Sequence, residues 1–221
     1  MYKFSKRSLD IITSLLALVI LSPLLLPIVI VLSLSGEGYV FYFQERIGMK
    51  RVTFKIIKFA TMLNDSPNLG SGSITLAGDW RVTKPGRFLR KTKINELPQI
   101  LNILKGDISL VGPRPLVKRT FSAYSEEIQS KIYNVKPGLT GIGSIIFRDE
   151  ESIISSIKDE DPHEFYKRII APYKGELEMW YQQHNSFFLD LQLIFLTAWV
   201  IIFPSSKLYE KWFKDLPKRN F

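Results

Sequence analysis

A long apolar run near the start of the chain limits its possible folds more than any other feature. After Lys3, Lys6 and Arg7 comes "LDIITSLLALVILSPLLLPIVIVLSLSG", and no charged side chain lies between Ile11 and Leu34. A straight helix over that stretch would be about 36 Å long, enough to cross a hydrocarbon core of roughly 30 Å. It is a poor secretory leader, being long and lacking a small-residue cleavage site after it. It is therefore expected to stay in the protein as a membrane element. Ser22, Pro23 and Pro27 fall within it. A proline inside a helix lacks a backbone donor and crowds the preceding turn, so a break or sharp kink is expected at Ser22-Pro23. Arg46, Lys50, Arg51, Lys55 and Lys58 follow the run, so both flanks are basic. A helix that enters, bends and returns keeps both flanks on the cytoplasmic side, as the positive-inside tendency favours. A single-pass anchor with a proline kink is the alternative. On the first reading the chain divides into a re-entrant membrane helix over 1–36 and a catalytic domain over 37–221.

A second apolar run, "FFLDLQLIFLTAWVIIF", spans Phe187 to Phe203 and includes Asp190 and Gln192. It is short for a crossing. It reads either as a helix lying in the membrane interface, with Trp199, Trp212 and nearby lysines at headgroup level, or as a buried core helix.

The remaining sequence is strongly basic. Thirty Lys and Arg stand against 21 Asp and Glu, a net charge of +9. This balance favours anionic partners: phosphorylated substrates, an anionic membrane face or nucleic acid. No nucleic-acid reader motif appears, so nucleic acid is not expected as a partner. The chain has no cysteine, which excludes disulfides, thiolate metal sites and thiol nucleophiles. Its two histidines, His163 and His184, have no supporting motif for a metal centre or a catalytic triad. Neither a P-loop nor a G-x-G-x-x-G is present.

"YVFYFQERIGMKRVTFKIIKFATM" (Tyr39 to Met62) alternates and is rich in aromatic and β-branched residues, predicting two strands around a turn at Gly48. Asn64 to Asp79 is a loop rich in Pro, Ser and Gly, either a lid or a plain connection. Leu97, Ile100, Leu101 and Leu104 form a helical stripe. That spacing predicts a helix with Asn95 as N-cap, Pro98 in its first turn and Gly106 at its end. "LVGPRPL" then presents Arg114 on a proline-stiffened segment. Glu126 to Tyr133 and Glu150 to Tyr181 read as helical, with breaks at Pro162 and Pro172. The fold class expected is a mainly helical α+β chain with a small strand region and amphipathic interfacial helices.

From Arg81 to Arg119 there are ten cations and only two acids, Glu96 and Asp107. Arginine grips phosphate oxygens with two donors at once. An acid in such a field suits a Mg²⁺ ion held against a diphosphate, or attack on phosphorus. The plainer alternative has Glu96 capping its helix and Asp107 pairing with a nearby lysine.

These residues resemble a known family. "TKPGRFLRKTKINELPQILNILKGDISLVGPRP" is similar to the signature of the bacterial sugar transferases, the monotopic polyprenyl-phosphate phosphoglycosyl transferases, in their minimal form. Further matches run in the family's order: the basic start with Ser22-Pro23, "FQERIG", "KFATM" and "VKPGLTGIGS". The resemblance implies an enzyme of the bacterial inner membrane, on its cytoplasmic face among membrane lipids. It would transfer a sugar 1-phosphate from a UDP-sugar to undecaprenyl phosphate and release UMP, initiating O-antigen (lipopolysaccharide), capsule, exopolysaccharide or glycoprotein assembly. It also implies Mg²⁺ as cofactor and admits a homodimer. By resemblance, Glu96 serves the metal and the reacting phosphates. Arg90 and Arg114 clamp phosphate, and Lys58 lines the site. Asp107 supports the metal or positions Arg114. Sugar specificity is expected in Ser66 to Asp79 or in Ile145 to Tyr173.

Two positions depart from the pattern. Ala60 stands where the family has arginine. Asn95 stands where it has the aspartate that resemblance makes the nucleophile, forming a phosphosugar-enzyme. An amide is a very weak nucleophile. The residues leave three readings open: Glu96 acts as nucleophile or base, the asparagine is an engineered replacement, or the chain binds with little turnover.

Overall fold

The computed structural model describes residues 2–35, 37–69, 78–157 and 159–219. In chain order, helix α1 (Tyr2–Ser33) is followed by strands β1 (Phe41–Ile47) and β2 (Thr53–Phe59), then helices α2 (Lys84–Lys91) and α3 (Gln99–Lys105). Strand β3 (Ser109–Val111), helices α4 (Lys118–Phe121) and α5 (Glu126–Lys131), and strand β4 (Gly138–Thr140) come next. Helices α6 (Ile142–Ile146), α7 (Glu150–Ser155), α8 (Pro162–Phe165), α9 (Ala171–His184), α10 (Phe187–Ile202) and α11 (Leu208–Trp212) complete the order. The protein is thus a mainly helical α+β chain.

Strands β1 and β2 form the expected antiparallel hairpin, from Phe41↔Phe59 to Ile47↔Thr53, with Gly48 in the connection. Strands β3 and β4 pair in parallel, Ser109↔Gly138 and Val111↔Thr140. A Cβ on Gly138 would come within 2.1 Å of the Gly112 backbone nitrogen, so these two segments touch through their glycines. The main core gathers Val111, Ile142, Ile170, Leu177, Leu193 and Leu196 from β3, α6, the α8–α9 region and α10.

Helix α1 is 32 residues long and stays helical through Ser22, Pro23 and Pro27. Of the break or kink expected at Ser22-Pro23, a full break of the helix is not found. Pro23 cannot donate to the Val19 carbonyl one turn back. The Ser22 hydroxyl donates to that oxygen instead, at 2.8 Å. A side-chain donor thereby satisfies the freed acceptor, a device that lets apolar helices tolerate proline.

Both ends of α1 dock on the same folded body. Near its start, the Arg7 guanidinium donates to the Ile103 and Leu104 carbonyls at the end of α3, at 2.6 and 2.7 Å. Asp10, buried, accepts from the Ser109 hydroxyl at 3.0 Å and from the Leu110 N–H at 2.9 Å, at the start of β3. Near its other end, Leu32 packs with Phe59 of β2 and Leu89 of α2. Between the two, Leu15, Leu16, Val19, Ile20, Leu24 and Leu26 are exposed. This is the one helix among the described residues long and apolar enough to cross a membrane.

Helix α10 has one apolar face in the core and another exposed. Leu189, Leu193, Leu196 and Val200 face the core, while Phe188, Leu191, Phe195 and Ile202 are exposed. Asp190 is completely buried and satisfied by Lys6 at 2.7 Å, the Tyr2 hydroxyl at 2.9 Å and the Tyr181 hydroxyl at 2.7 Å. That network joins α1, α9 and α10. Phe195 stacks on Trp199 and on Trp212.

Of the two helix breaks expected, the one at Pro162 is found, since α7 ends at Ser155 and Pro162 begins α8 with Asp161 as its N-cap. The other needs correction: Pro172 does not break the helix it lies in. A wider π turn over Tyr166–Ile170 precedes it, and that change of register accommodates a residue with no N–H to give.

Candidate functional site

Glu96 lies just ahead of α3, at the end of a 3-10 turn over Ile94–Glu96. The turn is set by Lys93 in the left-handed conformation (φ 61°). Helix α3 begins at Gln99 with Pro98 at its N-cap, so Asn95 is not the cap that the spacing predicts. The buried face also shifts from the expected stripe: Ile100 and Ile103 are buried, while Leu101 is exposed. Gly106 ends the helix at φ 94°, as expected. Half of the Asn64 to Asp79 loop, residues 70–77, lies outside the described residues, and the lid reading and part of the specificity reading go with it.

Three sequence-picked residues converge. The Arg114 guanidinium donates to Glu96 Oε1 at 2.6 Å and to Oε2 at 3.4 Å, and the Lys58 ammonium reaches Oε1 at 3.3 Å. Lys58 comes from β2, whose position is fixed by Asn102: its Oδ1 accepts from the Ile57 N–H and its Nδ2 donates to the Lys55 carbonyl. Arg114 follows β3. Its carbonyl accepts from the Tyr133 hydroxyl at 2.9 Å, and its N–H donates to Glu178. The arginine is thereby held by its backbone on both sides.

Arg46, from β1, stands out in the sequence only as a basic residue flanking the apolar run and within "FQERIG", not as a site residue. Its Nη1 donates to the Pro115 carbonyl at 3.0 Å, while its buried Nε–H has no partner among the described residues. A buried donor without a partner costs about 1–3 kcal/mol, and an anion would satisfy it.

Burial pushes the Glu96 carboxyl up, but the Arg114 and Lys58 charges outweigh it and hold the group well below the usual carboxylate range. Burial, reinforced by Arg46 and Arg114, brings Lys58 down to about 7 against the pull of Glu96. Burial and the neighbouring Arg114 bring Arg46 down to about 10. Burial is the larger cause for both cations, and the crowding of positive charge adds to it.

The cluster opens on a cavity of about 760 Å³, within the roughly 300–1,000 Å³ typical of ligand sites. Its lining carries seven cations (Arg46, Lys58, Arg90, Lys93, Arg114, Arg148 and Lys174) against three carboxylates, Glu96, Glu150 and Glu151. Arg90 is thus at the cavity, but its own ion pair is with Glu151 at 3.6 Å and not with Glu96. Asp107 is not brought to the site. It caps the far end of α3, accepting from Asn102 at 3.0 Å and pairing with Lys105 at 3.4 Å. It makes no contact with Arg114, and its influence on the site runs through Asn102 to β2. The pairing with a lysine is the plainer of the two readings open for this acid.

Asn95 lines the cavity beside Glu96, and its buried Oδ1 has no hydrogen-bond partner among the described residues. No group of three or more His, Asp or Glu suited to a metal occurs among the described residues. Mg²⁺, however, needs only one or two protein oxygens when substrate phosphates and water complete its shell. Glu96 and the Asn95 Oδ1 are the neighbouring side-chain oxygens at the cavity that could take part in holding such an ion, once Glu96 is released from Arg114 and Lys58.

Comparison with known proteins adds to this geometry. A family model described as "Bacterial sugar transferase" matches residues 1–204. The chain is 38% identical over 193 residues to an uncharacterized sugar transferase, EpsL, of Bacillus subtilis (strain 168), covering 87% of this chain and 85% of that one. It is 33% identical over 204 residues to an Aeromonas hydrophila UDP-N-acetylgalactosamine-undecaprenyl-phosphate N-acetylgalactosaminephosphotransferase, covering 91% of this chain and 44% of that one. It is 37% identical over 199 residues to a Klebsiella pneumoniae UDP-glucose:undecaprenyl-phosphate glucose-1-phosphate transferase, covering 87% of this chain and 39% of that one. The chain therefore spans less than half the length of these last two relatives.

Proposed function

The chain belongs to the bacterial sugar transferase family, and on that premise we propose that it transfers a sugar 1-phosphate from a UDP-sugar to undecaprenyl phosphate, releasing UMP. The observation that carries this reading is Glu96, bound by Arg114 and Lys58 at the floor of a cation-lined cavity. Donor and acceptor both bring phosphate, and these cations would neutralise the charge that gathers where they meet. Arg114 has a planar fork suited to a phosphoryl group. Arg46 has a buried Nε–H without a partner among the described residues, which an anion drawn into the cavity could satisfy. Glu96 holds Arg114 and Lys58 in place until the substrate arrives. Bound Mg²⁺ would add charge neutralisation on the diphosphate oxygens.

The acceptor's lipid tail accounts for the apolar parts. One wall of the cavity is built by α10, through Ile194, Thr197, Ala198 and Ile201. Beside that wall the same helix exposes Phe188, Leu191 and Phe195. On this reading α1 sits in the inner membrane as a re-entrant element and the rest of the chain rests on the cytoplasmic face. The docking of both ends of α1 on one body supports re-entry over a crossing. Such an enzyme would begin the assembly of a polysaccharide or glycoprotein glycan. The relatives' names differ in the sugar, N-acetylgalactosamine in one and glucose in another, so membership of the family does not choose it.

Asn95 supports a second reading, a family member that binds UDP-sugar without turning it over. The two are separated by one assay. The purified protein in lipid nanodiscs, given Mg²⁺, undecaprenyl phosphate and each of a panel of UDP-sugars, is expected to release UMP with at least one donor. No UMP above background with any donor would overturn the transferase reading. Turnover that appears only in Asn95→Asp would establish the binding reading.

A further inference from the structure

Resting on the transferase reading, we infer that this chain carries out the transfer as a single displacement, with donor and lipid acceptor bound together, and forms no covalent phosphosugar-enzyme. Three observations lead there.

The first is the state of the groups that could attack. Asn95 presents an amide. Glu96 has both oxygens engaged, Oε1 by Arg114 and Lys58 and Oε2 by Arg114. Two cations draw charge from it, and such a weakly basic carboxylate is a poor nucleophile. The hydroxyls in the lining have no base to activate them. Among the described residues, none is hydrogen-bonded to a carboxylate or an imidazole; Thr140, for example, shares its bond with Thr197 at 2.7 Å.

The second is the chemistry of the acceptor. A lipid phosphate is already an anion and needs no general base. One of its oxygens forms a bond to the β-phosphorus of the UDP-sugar. The bond from that phosphorus to the bridging oxygen breaks, and UMP leaves with the electron pair. The product is the lipid diphosphate sugar, and no proton has to be found or placed. What the site must supply is relief of repulsion between two anions. Lys58, Lys93, Arg46 and Arg114 stand together for that purpose.

The third is room and lining. The cavity has an apolar wall on α10 and a polar region at Arg148, Glu150, Tyr166 and Lys174. Its two linings differ in chemistry, one suited to a prenyl chain and the other to a polar sugar nucleotide. Both border the one cavity that holds Glu96 and Arg114.

The test uses the full chain in nanodiscs and isotope exchange. Labelled UMP is mixed with the UDP-sugar that supports turnover, without acceptor. A single displacement predicts no label in the UDP-sugar, no mass increase on the intact protein, and initial-rate lines that intersect when both substrates are varied. Asn95→Asp is expected to gain acceptor-independent exchange and a phosphosugar-sized mass increase. Exchange in the unaltered protein without lipid, parallel initial-rate lines, or an adduct on Glu96 or any hydroxyl would overturn the inference. Absence of UMP with both substrates present would remove the transferase reading itself, a failure plainly distinct from acceptor-independent exchange.

Discussion

Lys58 sits between two demands. Its ammonium balances Glu96, yet burial and the nearby Arg46 and Arg114 bring it down to about 7. It is charged below that pH and neutral above it, so its attraction for a diphosphate weakens as pH rises through 7. Binding of the anion in turn favours the charged form, and the free protein takes up a proton as it binds. The KM for UDP-sugar is therefore expected to rise between about pH 6 and 8, roughly one unit to either side of that value. Lys58→Arg, which stays charged, should flatten that profile. A profile unchanged by the substitution would exclude Lys58 from the effect. For Glu96→Gln the expected outcome is a fall of about 10²-fold in the rate of UMP formation, with a measurable loss in the fit of Arg114 to substrate. At this scale the sequence was informative where charge was scarce. Glu96 stood out as a lone acid among cations, and Lys58 and Arg114 were found by resemblance. It was misleading for Asp107, because a string of residues does not say which end of α3 faces the cavity. Asn95 has a good capping side chain, but the left-handed Lys93 and the N-cap Pro98 place the helix start three residues later than a cap at Asn95 would. That leaves Asn95 inside the cavity wall.

Among the elements, the short parallel pair β3–β4 has the tightest tolerance. Gly138 and Gly112 bring two backbones into contact, and any side chain at Gly138 would have to push them apart. Gly138→Ala is expected to lower the thermal midpoint and to weaken UDP-sugar binding together, because β3 leads directly to Arg114. Loss of neither would mean that the pair is not needed to place the arginine. Strands of three residues are too short to show a period, which is why neither was legible in the sequence, whereas the seven-residue strands of the β1–β2 hairpin were. The helices tell a similar story. The ends of α3 and the faces of α10 followed apolar spacing only in part, since buried polar residues such as Asn102 and Asp190 occupy core positions through bonds to distant partners. The path of α1 through Pro23 depended on one hydroxyl, Ser22, whose effect no propensity scale carries.

For the molecule as a whole, the central question is how α1 meets the membrane. Single cysteines placed at Lys3 and at Lys50 are expected to react with an impermeant reagent from the same side. Labelling from opposite faces would refute re-entry and leave a crossing. The two-part division at residue 36 was read from composition, and it understates how far the parts interlock. Lys6 and Tyr2 reach the buried Asp190 of α10, Arg7 holds the end of α3, and Asp10 holds the start of β3. Asp10→Ala would leave the Ser109 hydroxyl and the Leu110 N–H without their acceptor, at a cost of about 1–3 kcal/mol. A drop in thermal midpoint in nanodiscs would register it.

The grip of Arg7 and Asp10 also bears on how the protein can be handled. A membrane segment joined to its domain by a linker is a tether and can be cut away to leave a soluble fragment. Here the first three turns of the apolar helix act as a keystone, wedged against α3 and β3, the elements next to Glu96 and Arg114 in the chain. A fragment that starts after residue 36 would expose four backbone or side-chain groups whose partners left with the helix: the Ile103 and Leu104 carbonyls, the Ser109 hydroxyl and the Leu110 N–H. Trimming this protein for solubility would dismantle the site that the trimming was meant to deliver.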